Sequence, residues 1–162
     1  METKNSFKIG ILPRPRAGEW LEEEIESWQD SKIHLILSLL TNEEIRELEL
    51  SQELDLCESK GIGFFSFPIS DQGVPDSFRK AKILVKKLSA LLKEGKTLGI
   101  HCRIGIGRSS LMAACLLGAL GEDPKKIFDL ISKARKCPVP DTEEQREWFF
   151  EFMEHYNSED IF

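Results

Sequence analysis

Residues 97–120 read TLGIHCRIGIGRSSLMAACLLGAL, and the fold follows from three changes of character along them. Thr97 to His101 is a short, largely apolar run that reads as a strand, Cys102 to Arg108 is a loop punctuated by glycine, and Ser109 to Leu120 is a helix. That helix is apolar on nearly every side, which places it inside a core. Its longest apolar run, Leu111 to Leu120, is too short to cross a bilayer. A strand that passes through a tight loop into a buried helix is the repeating unit of parallel α/β sheets.

The rest of the chain repeats the pattern. Phe7 to Leu12 is a strand closed by Pro13-Arg14-Pro15, since prolines remove backbone donors. Leu21, Ile25 and Trp28 form one apolar helix face, with Glu22, Glu23, Glu24 and Glu26 on the wet side. Ile33 to Leu37 is a second strand. Thr41 and Glu44 have capping-box spacing, and a helical pattern is expected from there to Gly61. Phe64 to Ile69 is a third strand, leading into the loop Ser70-Asp71-Gln72-Gly73-Val74-Pro75. Asp76 is the expected N-cap of a long helix that buries Ala81, Leu84, Val85, Leu88, Leu91 and Leu92. Pro124 opens a helix ending near Lys136, and Asp141 with Glu144 is the expected cap of a last helix to about His155. The alternation predicts an α/β fold: a mostly parallel central sheet of about four to five strands with helices on both faces, three layers, in a single domain over residues 1–162.

Composition narrows the partners. With 41% hydrophobic and 31% charged residues, disordered and collagenous classes are excluded. A net charge of −6 repels polyanions, so no nucleic-acid partner is expected. The N-terminal METKNSFKIG has no apolar export segment and no membrane partner is expected, which points to the cytoplasm and to four reduced cysteines; a monomer is expected.

The chemistry lies in His101-Cys102-Arg103-Ile104-Gly105-Ile106-Gly107-Arg108-Ser109. In open parallel sheets, ligands bind beyond the carboxyl ends of the strands. Glycines let the loop 103–107 curl so that its N–H groups point inward, and the following helix adds its positive end, which makes a cradle for a dianion. Cys102 sits at its base. An ordinary thiol is only about 3% ionised at pH 7, and helix N-termini and neighbouring cations lower thiol pKa values into the range of about 3.5–7.5. The donors that bind phosphate would therefore also ionise the nucleophile. Arg108 can grip two phosphoryl oxygens through its planar fork, the Ser109 hydroxyl can donate to the sulfur, and His101 can orient the cradle through a ring N–H.

His-Cys, five residues, then Arg-Ser resembles the signature of cysteine-dependent protein tyrosine phosphatases. The likeness is to the small dual-specificity branch, close to kinase-associated phosphatases and compact bacterial tyrosine phosphatases. A second motif agrees, because Pro68 to Pro75 is similar to the acid-bearing loop that these phosphatases place before the cysteine. The resemblance implies that Asp71 is the general acid and that Gln145, in Val139-Pro140-Asp141-Thr142-Glu143-Glu144-Gln145, positions the hydrolytic water. It also puts Arg14 and Arg16 beside the cleft. The implied substrate is a phosphorylated protein or peptide, bearing phosphotyrosine and also phosphoserine or phosphothreonine, with inorganic phosphate as product and with no metal or other cofactor.

Other readings differ in one feature each. A phosphoinositide phosphatase would resemble relatives that carry lysines inside the cradle, where this chain has only Arg103. A phosphoprotein-binding module would need the cradle but not Cys102 or Asp71. A sulfur-transfer or arsenate-reducing enzyme of this general kind carries its cysteine loop near the N-terminus. Cys57, Cys115 and Cys137 lack the glycine and arginine setting and are expected to be core or bystander residues.

Overall fold

The computed structural model describes residues 7–158; the expectation about an export segment falls partly on residues 1–6, outside them. Strands β1 (Lys8–Leu12), β2 (Leu35–Ser38), β3 (Gly63–Ser66) and β4 (Thr97–His101) form one four-stranded sheet in the order β1-β4-β2-β3. Every pairing is parallel, with Leu12 opposite His101 and Ser38 opposite His101. β4 is thus central, and its carboxyl end opens between two neighbours.

Alternation along the buried strands divides the core into two layers. Leu35 and Leu37 face one side with Leu98 and Ile100. There they pack against α4 (Phe78–Lys93), α5 (Gly107–Ala119), α6 (Pro124–Arg135) and α7 (Glu143–Tyr156). Ile36 faces the other side and packs with Leu21, Ile25 and Trp28 of α1 (Leu21–Asp30) and Cys57 of α3 (Glu53–Ser59). Residues Leu111 to Leu117 of α5 are wholly buried, as an all-apolar helix must be. No helix among the described residues is long and apolar enough to cross a membrane.

Three local expectations are corrected. The pattern from Thr41 to Gly61 is not one helix: α2 (Asn42–Glu47) ends, Glu49 takes a left-handed conformation (φ 56°), Leu50 drops into the second core layer, and α3 starts at Glu53. At about 100° per residue, Glu44 and Glu53 would lie on opposite faces of an unbroken helix. Helix α4 is capped by Ser77, whose hydroxyl accepts from the Lys80 N–H at 3.2 Å, and Asp76 lies outside it. Helix α7 is capped by Thr142, which accepts from the Gln145 N–H at 3.1 Å, so Asp141 is not the cap.

Candidate active site

His101 ends β4, and the chain turns at Cys102 through a loop that enters α5 at Gly107. Gly105 makes the turn possible with φ 85°, in the left-handed region that side chains disfavour. Its N–H donates to Cys102 Sγ at 3.2 Å, which anchors the sulfur at the base of the loop. Cys102 is 3% exposed and lines a cleft of about 150 Å³ together with Asp71, Ile106, Gly107, Arg108 and Asp141.

Arg108 is held from several directions. Nη1 donates to Glu44 Oε1 at 2.6 Å and to the Ile69 carbonyl at 2.8 Å, and Nη2 donates to Glu44 Oε2 at 2.9 Å. Asp71 Oδ1 lies 3.4 Å from Nη2. A guanidinium has five N–H donors, so this pattern leaves the Nε edge and the Nη2 hydrogen facing Asp71 for a ligand. Burial acts to lower the pKa of Arg108, but the hydrogen bond it donates to Glu44 and the charges of Cys102, Glu44 and Asp71 outweigh it and raise it. Burial likewise acts to raise Glu44, and its bonds to Arg108 and to the Thr41 backbone, with the charge of Arg108, hold its carboxyl below the ordinary value. Glu44 also completes the expected capping box with Thr41. One carboxylate therefore starts a helix and fixes the arginine.

His101 is fully buried, and its Nε2 lies 2.6 Å from Glu53 Oε2. Since a carboxylate only accepts, Nε2 is the donor nitrogen. Trp28 stacks on the imidazole with centroids 6.3 Å apart.

Comparison with known proteins agrees with this geometry. The family model "Cyclin-dependent kinase inhibitor 3 (CDKN3)" matches residues 18–126. The chain belongs to the cyclin-dependent kinase inhibitor 3 family. It is 31% identical to cyclin-dependent kinase inhibitor 3 of Rattus norvegicus over 136 residues, covering 83% of this chain and 64% of the relative. It is also 31% identical to the Homo sapiens protein over 146 residues, covering 86% and 68%. The match thus spans about two thirds of these relatives' length. Among solved structures, kinase associated phosphatase with serine substituted for its catalytic-site cysteine superposes with a TM-score of 0.83 at 25% identity, covering 94% of this chain and 89% of that one. Tk-PTP in its G95A form has a TM-score of 0.73 at 24% identity, covering 91% of each, and shares the fold. Family and fold both lie in the cysteine-dependent tyrosine and dual-specificity phosphatase superfamily.

In this cyclin-dependent kinase inhibitor 3 family member, four of the expected site residues have the following side-chain placements. Ser109 Oγ is buried without a hydrogen-bond partner, so the expected donation to Cys102 Sγ is not made in this form. Arg103 does not add an interior charge: its guanidinium points to Glu47 Oε2 at 3.2 Å, and only its backbone belongs to the loop. Ile104 is 68% exposed at the rim. Gln145 is fully buried, with Oε1 3.0 Å from where a Cβ on Gly107 would stand. Its Nε2 donates to the Gly73 carbonyl at 3.0 Å and its Oε1 accepts from the Asp141 N–H at 3.1 Å, so the amide ties the Asp71 loop to the turn before α7.

Arg14 and Arg16 do flank the site. Arg14 Nη1 donates to the Arg103 carbonyl at 2.9 Å, and Arg16 pairs with Glu24 at 2.6 Å. With Trp20, Glu47, Arg103 and Ile104 they border a groove of about 860 Å³ that meets the cleft at Ile104. The remaining cysteines are free, and Cys57 and Cys115 are buried. Burial together with Glu53 and Glu58 pushes Cys57 up to about 12, and burial alone raises Cys115 still further. No cluster of three or more His, Cys, Asp or Glu suited to a metal ion occurs among the described residues.

Sequence reasoning missed Glu44, Glu53 and Asp141 as site residues. Glu44 carried a signal, the capping box, which accounts for only half of what its carboxylate does.

Proposed function

We propose that this chain is a protein phosphatase that hydrolyses phosphotyrosine, and also phosphoserine or phosphothreonine, through a phosphocysteine intermediate. The observation that carries the reading is the convergence of Cys102, the Arg108 guanidinium and the Asp71 carboxylate on one small cleft at the end of β4. The kinase associated phosphatase structure supports it, since that protein has a catalytic-site cysteine.

In the first displacement, Cys102 Sγ attacks phosphorus as the ester P–O bond breaks, and Asp71 gives its proton to the leaving oxygen. Arg108, through its free Nε edge and Nη2, and the N-terminal end of α5 hold the equatorial oxygens as charge builds on them. In the second, water attacks phosphorus, Asp71 takes its proton, the P–S bond breaks with its electron pair returning to sulfur, and inorganic phosphate leaves. The unpartnered Ser109 hydroxyl supports a role at that moment, because an unsatisfied buried hydroxyl typically costs about 1–3 kcal/mol and donation to the departing sulfur would satisfy it. His101, held by Glu53, sets the base of the loop. The groove beside Arg14 and Arg103 takes the chain flanking the phosphorylated residue of a protein substrate. A nucleophile that must stay reduced suits a cytoplasmic location.

The test is hydrolysis of an aryl phosphate and of a phosphopeptide panel by the unaltered chain and by Cys102→Ser. Turnover that disappears with the sulfur supports the reading; turnover that survives excludes the covalent route. Tight phosphopeptide binding without any turnover would make the chain a recognition module.

A further inference from the structure

We propose that Asp141 positions the hydrolytic water of the second displacement, the role expected of Gln145. This deepens the phosphatase reading above and rests on it. Two carboxylates line the cleft that holds Cys102 Sγ, and they come from different loops: Asp71 after β3 and Asp141 before α7. Asp141 lies directly against the phosphate loop, where a Cβ added to Gly107 would stand 2.5 Å from its Oδ2. Glycine at 107 is what lets the carboxylate approach the first turn of α5, the end of the helix that draws anions.

The surroundings leave that carboxylate available. Thr142 caps α7, so Asp141 is not used there. The hydrogen bond that Asp141 makes to Gln145 is through its backbone N–H. The Gln145 amide is fully buried and engaged at both ends, its Oε1 lying against Gly107 and accepting from the Asp141 N–H, so it fixes the turn that presents Asp141. A carboxylate only accepts, and a water about to attack phosphorus has two protons to place. Asp71 removes one, and Asp141 accepts a hydrogen bond from the other, which aims the oxygen lone pair at phosphorus. The O–P bond forms, the P–S bond breaks toward sulfur, the transferred proton rests on Asp71, and Asp141 keeps its charge throughout. That charge also opposes binding of a phosphate dianion, so its removal tightens substrate binding while it slows hydrolysis.

Rapid mixing with p-nitrophenyl phosphate separates the two steps. Asp141→Ala is expected to release the first equivalent of p-nitrophenol within about threefold of the unaltered rate. Its later turnover should be slower by about tenfold or more, with a lower KM. Asp141→Asn keeps an acceptor oxygen and is expected to recover most of the second phase while sharing the lower KM. Unchanged steady-state turnover in Asp141→Ala would overturn the assignment. So would equal slowing of both phases with a lowered melting temperature, which is the mark of a structural role, or a burst produced by Gln145→Ala alone. Absence of any p-nitrophenol release by the unaltered chain is a different failure: it overturns the phosphatase reading and this assignment with it.

Discussion

Glu44 and Arg108 meet through two parallel hydrogen bonds, Oε1 to Nη1 at 2.6 Å and Oε2 to Nη2 at 2.9 Å, with the Ile69 carbonyl completing the set at 2.8 Å. The arginine that would grip phosphate is thereby fixed before any ligand arrives, and Ile69, two residues before Asp71, ties the root of the acid loop to the same guanidinium. Pre-organisation of this kind leaves little reorganisation for the reaction itself.

Removing one member of a buried pair leaves the other charge uncompensated, at a typical cost of about 3–5 kcal/mol. Glu44→Gln should therefore lower stability and weaken phosphate binding together, seen as a lower melting temperature and a higher KM. The pH dependence has a definite sign. The Glu44 carboxyl is held below its ordinary value of 4.5, so its contribution is complete above that pH and is lost as pH falls through the lowered folded value. The difference in stability between the unaltered chain and Glu44→Gln is expected to shrink below about pH 4.5 in denaturant titrations, and a constant difference down to strong acid would contradict the pairing.

Asp71 faces the arginine from an exposed loop, as a proton donor to a departing group must. Asp71→Ala should reduce kcat by about 10²–10⁴ and mute the basic limb of the pH profile. Asp76, outside the helix it was expected to cap, gives the control: Asp76→Ala should leave the profile unchanged, and the opposite result would move the acid to Asp76.

Glu53 holds His101, the residue before the nucleophile, and both side chains are buried. Glu53→Leu leaves Nε2 without its acceptor beside an already unpartnered Nδ1. A loss of stability of about 1–3 kcal/mol is expected, with a fall in aryl phosphate turnover that exceeds any change in KM. Unaltered turnover at full stability would show that the imidazole needs no anchor.

The thiols should separate by reactivity, since the thiolate is the reactive form. Cys57, pushed up to about 12, and Cys115, raised further by burial, should resist iodoacetamide in the folded chain. Cys102 should react and be protected by inorganic phosphate, as read by peptide mapping. Modification of Cys57 ahead of Cys102 would contradict the site.

The sheet and the phosphate loop were legible because their signals are local. Cys102, Gly105, Gly107 and Arg108 fall within seven consecutive residues, and the strands show as short apolar runs between breakers. What escaped depends on contacts between distant segments. Glu44 and Glu53 share what reads as one helix, and only the break at Glu49, made so that Leu50 reaches the core, brings both to the loop. At the ends of helices the errors are of one residue. Ser77 and Thr142 took the caps expected of Asp76 and Asp141, because a hydroxyl there reaches the N3 amide from the extended backbone of the capping position. For Asp141 that one residue decides whether its carboxylate serves the helix or the cleft. The Gln145 amide could have been assigned only by knowing that Gly73 lies within its reach.

The most direct measurement is rapid acid quench of the chain during turnover of a radiolabelled phosphopeptide, followed by mapping of the bound label. The account predicts label approaching one phosphate per chain in Asp141→Ala, located on Cys102, and none in Cys102→Ser. Turnover of the peptide with no label on Cys102, or with label on another residue, would contradict it.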